Sequence, residues 1–165
     1  MADILKTTPG EFRSESGVRD TKAVADGLLD VLADTYRLMF KTHSYHWNVT
    51  GPLFYPIHKM TEEQYSNLFE ASDKIAERIR ALGHLAPLQF AQMEKNSVVK
   101  DVRETPSARE MIEDLAEDHE RAAHRLHALV ELAGEHRDPV TDDLATERSA
   151  FHEEAAWMLR ATAAE

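Results

Sequence analysis

Cysteine is absent from the 165 residues, which excludes disulfides, thiol nucleophiles and thiolate metal sites. No apolar run approaches the length of a membrane span. The opening residues MADILKTTPG lack the charged-then-apolar order of a secretory leader, so a soluble, cytoplasmic chain is expected. Basic residues are scarce: 19 Lys and Arg stand against 30 Asp and Glu, a formal net charge of -11. A surface that acidic attracts cations and repels nucleic acid in general. No glutamate has a histidine three residues on, so the Glu-x-x-His motif of intrachain di-iron bundles is missing.

What is present is helical periodicity. Residues 1–19 hold Pro9, Gly10, Ser14, Ser16 and Gly17 and read as a flexible N-terminal tail; residues 20–165 read as one domain. From Asp20 to Val49, Val24, Leu28, Val31, Leu32 and Met39 recur at helical spacing, with Asp20 as N-cap and Gly51-Pro52 as the stop. A second helix is expected from Leu53 to Leu82, with Pro56 in its first turn and Gly83 as its end. Residues 84–104 read as a long connection with a short helix near Leu88 to Met93. Thr105 is placed as the cap of a third helix, with Pro106 at its first position, ending at Ala133 before Gly134. Asp138 then caps a fourth helix with Pro139 first, carrying Leu144, Phe151, Met158 and Leu159. Four long helices without a convincing strand or repeat give an all-α four-helix bundle with a crossover between its second and third helices.

Five groups between His43 and Ile79 stand out: His46, His58, Glu62, Asp73 and Glu77. Imidazoles with carboxylates suit a borderline divalent metal such as iron or zinc. His58 and Glu62 are four apart, as are Asp73 and Glu77, so each pair shares a helix face. The two pairs are fifteen residues apart, which keeps all four on one stripe but separates them by roughly 22 Å along the axis. Ligands of one ion lie about 2 Å from it, so one straight helix cannot unite the pairs. Two antiparallel copies can: residue 58 faces 77 when 62 faces 73, since both sums equal 135, and the two-fold axis passes between Asn67 and Leu68. Acidic surface helices also carry such pairs without binding anything, and spacing alone leaves both readings open.

HWNVTGPLFYPIH, followed by Glu62, Asp73 and Glu77, resembles the signature of the Dps mini-ferritins, the DNA-protecting proteins of starved cells. The C-terminal AAWMLRATAAE looks similar as well. The resemblance implies a ferritin-like bundle and an intersubunit ferroxidase centre of His46, His58, Glu62, Asp73 and Glu77, holding two irons. The third position is usually Asp in the family and is Glu62 here, a longer arm of the same charge. It further implies a cytoplasmic or nucleoid-associated shell of twelve subunits that oxidises Fe²⁺ with hydrogen peroxide and stores ferric mineral. Trp47 would sit beside the iron and take up an oxidising equivalent; its plainest role is packing at the dimer interface. Asp138, Asp142 and Asp143 fall where the family's acidic iron-entry pore lies, although acids there also complement a helix N-terminus.

Some relatives bind DNA through a basic tail. Here Lys6, Arg13, Arg19 and Lys22 are cancelled by Asp3, Glu11, Glu15 and Asp20, and the C-terminal end is acidic, so weak binding or none is expected. Of the other histidines, His43 is either a partner of His46 or a surface residue. His119, His124 and His127 are assigned to a solvated face of the third helix, and His84, His136 and His152 to structural or exposed positions. Trp157 is assigned to packing.

Overall fold

The apolar periodicity becomes four long helices and one short one: α1 (Thr21–Asn48), α2 (Phe54–Ala81), α3 (Phe90–Asn96), α4 (Ala108–Glu135) and α5 (Pro139–Ala163). A 3₁₀ turn spans Ile4–Lys6, and there is no strand among the described residues. This is a computed structural model that describes residues 4–102 and 104–164. Helices α1 and α2 form one antiparallel hairpin and α4 and α5 another; α1 packs on α4, and α2 meets α5 only sparsely.

Two clusters make the core. Leu28, Leu32, Ile75, Ile79 and Leu126 close one end, and Leu38, Ile57, Leu68, Ile112, Leu115 and Leu159 the other. Each buried side chain of this size contributes about 1.5–3 kcal/mol. Gly27 lets α1 approach α4, because a Cβ there would stand 3.0 Å from Leu129 Cδ1. Buried polar groups also cross this interface: Lys41, at 7% exposure, bonds Asp118 (2.5 Å) and Asp114 (2.8 Å), and Asp34 pairs with Arg125 (3.3 Å). Burial pushes the Asp118 carboxyl up against the opposing hydrogen bond from Lys41.

Helix ends follow their capping groups. Asp20 caps α1 and Asp138 caps α5, as their sequence positions suggest. The cap of α4 is not Thr105. Ser107 accepts from Glu110 N while Glu110 accepts from Ser107 N at 2.7 Å, a reciprocal capping box that outcompetes the earlier start. Helix α4 also runs through Gly134 to Glu135, and Arg137, at φ 58°, makes the reversal instead. The short helix sits at Phe90–Asn96, slightly later than expected.

The segment before α1 is tied to the bundle from Gly10 onward, contrary to its reading as a loose tail. Phe12 N donates to Gly83 O (2.9 Å), Ser14 Oγ to Ala81 O (3.3 Å) and Arg19 N to His136 O (3.0 Å). Gly83, at φ +97°, makes this possible: a Cβ there would lie 2.1 Å from Phe12 O.

Candidate metal centre

His46 lies in the last turn of α1 and His58 near the start of α2. Gly51, at φ +108°, turns the chain between them, and Val49 anchors the turn at 1% exposure. The two imidazoles stack with centroids 3.7 Å apart and planes 19° apart. Each ring is held by the other's backbone: His46 Nδ1 bonds His58 O at 2.9 Å, and His58 Nδ1 bonds His46 O at 2.9 Å. A carbonyl only accepts, so both Nδ1 atoms carry the proton and both Nε2 atoms keep a lone pair. That is the tautomer a metal ligand needs, fixed by the backbone. The His46 carbonyl is available because the final carbonyls of a helix lack an intrahelical partner. Thr61 Oγ1 adds a bond to His58 O at 3.1 Å.

Glu62 stands one turn beyond His58. A hydrogen bond from Lys59, at 2.6 Å, holds its carboxyl below the ordinary value. Asp73 and Glu77 are exposed further along α2, and neither makes a hydrogen bond or ion pair within the described residues. The five groups therefore separate into His46, His58 and Glu62 at one end of α2 and Asp73 and Glu77 at the other. No three His, Asp or Glu side chains come within reach of one metal ion among the described residues.

Aromatic rings back the histidine pair. His43 stacks on Tyr65 (4.1 Å, 20°) and tilts against Trp47 (4.0 Å), while Tyr65 meets His46 edge-on at 5.2 Å. Burial and then the His46 ring push the His43 pKa down. His43 thus belongs with this cluster of rings. Tyr65 escaped the sequence reading, although it lies three residues after Glu62 on the same helix face. Trp47 touches His43 but is 58% exposed on the single chain.

The acids at the start of α5 do not converge. Asp138 is fully buried; it accepts from Arg78 Nη2 (2.6 Å), Thr141 N (3.0 Å) and Thr141 Oγ1 (2.6 Å). Burial pushes its carboxyl up, but the bonds from Arg78 and Thr141 outweigh this and hold it low. A carboxylate sealed in that way cannot line a pore, which corrects its placement there. Asp143 is exposed and Asp142 half-buried. Among the tail cations, Arg13 pairs with Glu15 at 3.1 Å and Lys22 with Asp26, so local acids already engage both. Asp3 and Glu165 lie outside the described residues.

His119 overturns its assignment to a solvated face. It is fully buried, with Nδ1 2.9 Å from Nδ1 of His152, itself 2% exposed. His124 and His127 do face solvent, and His127 bonds Glu153 at 2.9 Å. His84 is half-buried between Thr21 (3.0 Å) and Glu11 (3.2 Å). Trp157 is 67% exposed, so it does not pack within the single chain.

Residues 25–165 match the family model for a ferritin-like domain. A low temperature-induced protein of Nostoc sp. is 40% identical over 136 residues, 78% of this chain and 73% of that relative. DNA protection during starvation protein 2 of Bacillus anthracis is 33% identical over 85% of this chain and 96% of its own. The crystal structure of the Dps protein of Vibrio cholerae O1, described as a member of a superfamily of ferritin-like diiron-carboxylate proteins, superposes with a TM-score of 0.82. It is 28% identical, over 93% of this chain and 98% of that one. With the ferritin-like bundle, the helix order and the paired histidines in place, this chain belongs to the Dps family of ferritin-like proteins.

Proposed function

We propose that this protein oxidises Fe²⁺ at centres shared between two copies of the chain and stores the ferric product inside a homo-oligomeric shell, in line with its family a shell of twelve. The observation that carries this is the reciprocal bonding of His46 and His58, which leaves two Nε2 lone pairs ready for a metal. Exposed, unpaired Asp73 and Glu77 lie on the same stripe of α2, out of reach within one chain. Antiparallel pairing about Asn67 and Leu68 supplies the missing half.

Each group then has a role. His46 and His58 bind Fe²⁺ through neutral nitrogen. Asp73 and Glu77 of the other copy supply negative charge, with Glu77 bridging two irons and Glu62 holding the second. Carboxylates stabilise Fe³⁺ more than Fe²⁺, so the donor set favours oxidation. With hydrogen peroxide as oxidant, two Fe²⁺ give one electron each, the O–O bond breaks, and two hydroxides form without a hydroxyl radical. Trp47 takes up a stray oxidising equivalent beside the centre. Of the acids on α5, Asp142 and Asp143 are the ones available to draw Fe²⁺ inward.

Mixing two damaged variants tests the shared centre. His58→Ala and Glu77→Ala each break every centre of their own homodimer. Co-assembled at random, about half the dimers are mixed, and in each mixed dimer one centre regains both an intact His58 and an intact Glu77. About a quarter of wild-type peroxide-driven iron oxidation should return. A mixture no faster than the average of its components, with mixed shells confirmed by mass, refutes the two-chain centre.

DNA binding is expected to be weak, because the chain is acidic and its tail cations are balanced by acids. A gel shift at low salt that persists at moderate salt would reverse this view.

A further inference from the structure

The interior between α2, α4 and α5 holds a polar cluster that iron oxidation does not use. Arg148 on α5 is 6% exposed and lies over Phe151, its guanidinium carbon 4.4 Å from the ring centroid. Its Nη1 donates to Asn67 Oδ1 at 2.7 Å, whereas its Nη2 is buried without a hydrogen-bond partner. Among the described residues no carboxylate pairs with it; only neighbouring Glu147 acts on it, at longer range. Burial lowers its pKa to about 10, which leaves it charged at neutral pH.

Two further side chains share the condition. Gln64, one turn before Asn67 on α2, is 4% exposed, and neither atom of its amide has a partner. His119 is fully buried, and its Nε2 has none either. Burial, reinforced by Arg148, pushes the pKa of His119 down to about 3, and that of His152 falls for the same reasons and through His119, so both rings are neutral. Either ring can donate across the Nδ1–Nδ1 contact; in the tautomer where His152 donates, the His119 proton sits on Nε2 and adds a third N–H donor to those of Arg148 and Gln64, and an anion there selects that tautomer. Gln64, Asn67 and Phe151 also line a cavity of about 350 Å³ between the sparsely packed α2 and α5.

A buried cation without a counter-charge is a costly arrangement, as are buried donors without acceptors. Water would satisfy the donors and leave the charge. A metal ion would be repelled by the guanidinium. A small anion answers both needs. Glu63 and Glu154 on the cavity wall are exposed acids whose repulsion grows with the charge of the entering ion, so they favour a monoanion over phosphate or sulfate.

We infer that Arg148, Gln64 and His119 form an internal binding site for a halide-sized inorganic monoanion, reached through the cavity between α2 and α5. The site does not depend on the iron centre, and its test involves no iron. Crystals of the full-length protein grown in bromide should show an anomalous peak within hydrogen-bonding distance of Arg148 Nη2 and Gln64 Nε2. In solution, replacing a large organic anion by chloride or bromide at fixed ionic strength should raise the thermal midpoint by a few degrees. That halide-dependent rise should vanish in Arg148→Met and in Gln64→Leu. A map showing only water, or a neighbouring chain's carboxylate, on Arg148 overturns the inference. So does a bromide peak without any halide dependence of the wild-type midpoint, which would be binding at crystal concentration only. A rise unchanged in the variants overturns it as well. Where one variant does not fold, the other variant and the wild-type map decide.

Discussion

The chain contains two close histidine pairs that behave in opposite ways. His46 and His58 stack, and each gives its Nδ1 proton to the other's main-chain carbonyl, leaving two lone pairs for something outside. His119 and His152 point Nδ1 at Nδ1, so the proton of one is spent on the other deep in the bundle. The same side chain is thus a ligand in waiting in one place and core in the other. What separates them is where the proton acceptor lies. A carbonyl acceptor leaves both outer rings with a lone pair on Nε2, whereas an imidazole acceptor puts the inner rings in opposite tautomers, one Nε2 protonated and the other not.

Substitution at the outer pair should give the largest effect. His58→Ala removes a proposed ligand nitrogen and should slow peroxide-driven iron oxidation on the order of a hundredfold, with little change in unfolding midpoint. His119→Gln should leave the oxidation rate near wild type. If His119→Gln abolishes oxidation as fully as His58→Ala does, the division between the pairs is wrong.

Acid should distinguish the pairs next. Burial holds the pKa of His119 down to about 3, so in the native chain it stays neutral as pH falls from the ordinary histidine value toward 3. The unfolded chain takes up that proton early in the same window. Native stability therefore falls with falling pH, by about 1.4 kcal/mol per unit for such a group. His152, shifted in the same direction, adds to the slope. Denaturant midpoints at neutral and mildly acidic pH, at fixed protein concentration, should show a shallower loss for His119→Gln. Parallel profiles for variant and wild type would remove the buried pair as the cause.

Two smaller effects sharpen the outer pair. Thr61→Val deletes the hydroxyl that bonds His58 O and should weaken iron binding by about tenfold at most, read by anaerobic titration. An unchanged affinity would confine the pinning to the two imidazoles. Lys59→Met releases Glu62, and because that pair is exposed to solvent screening the effect should be small. Oxidation should change less than about fivefold, and a larger change would give Lys59 a part of its own in the centre.

Much of this was legible in the sequence. The apolar periods placed four long helices, and the two four-residue spacings placed His58 with Glu62 and Asp73 with Glu77 as separate pairs along one helix. Less legible was anything that depends on a neighbouring helix. His119 follows Ile112, Leu115 and Ala116 and precedes Ala122 and Leu126 on one buried stripe, a signal of burial that its acidic neighbours Glu117 and Glu120 obscured. Its partner is 33 residues away on α5, beyond the reach of any local pattern. Asp138 was legible as a cap but not as the partner of Arg78, 60 residues earlier. The start of α4 was a closer contest, in which Ser107 and Glu110 held the stronger signal three residues apart.

The sparse meeting of α2 with α5 bears on how the chain folds. Each hairpin closes over a short connection, 49–53 or 136–138, so most of its contacts are local in sequence. Docking α1 against α4 must instead close the long link through α3, at a greater entropic cost. The hairpins are then expected to collapse first and the docking step to set the rate. On this ordering, enlarging Gly27 at the α1–α4 seam would slow the final association of two preformed halves, leaving the earlier formation of each half nearly untouched.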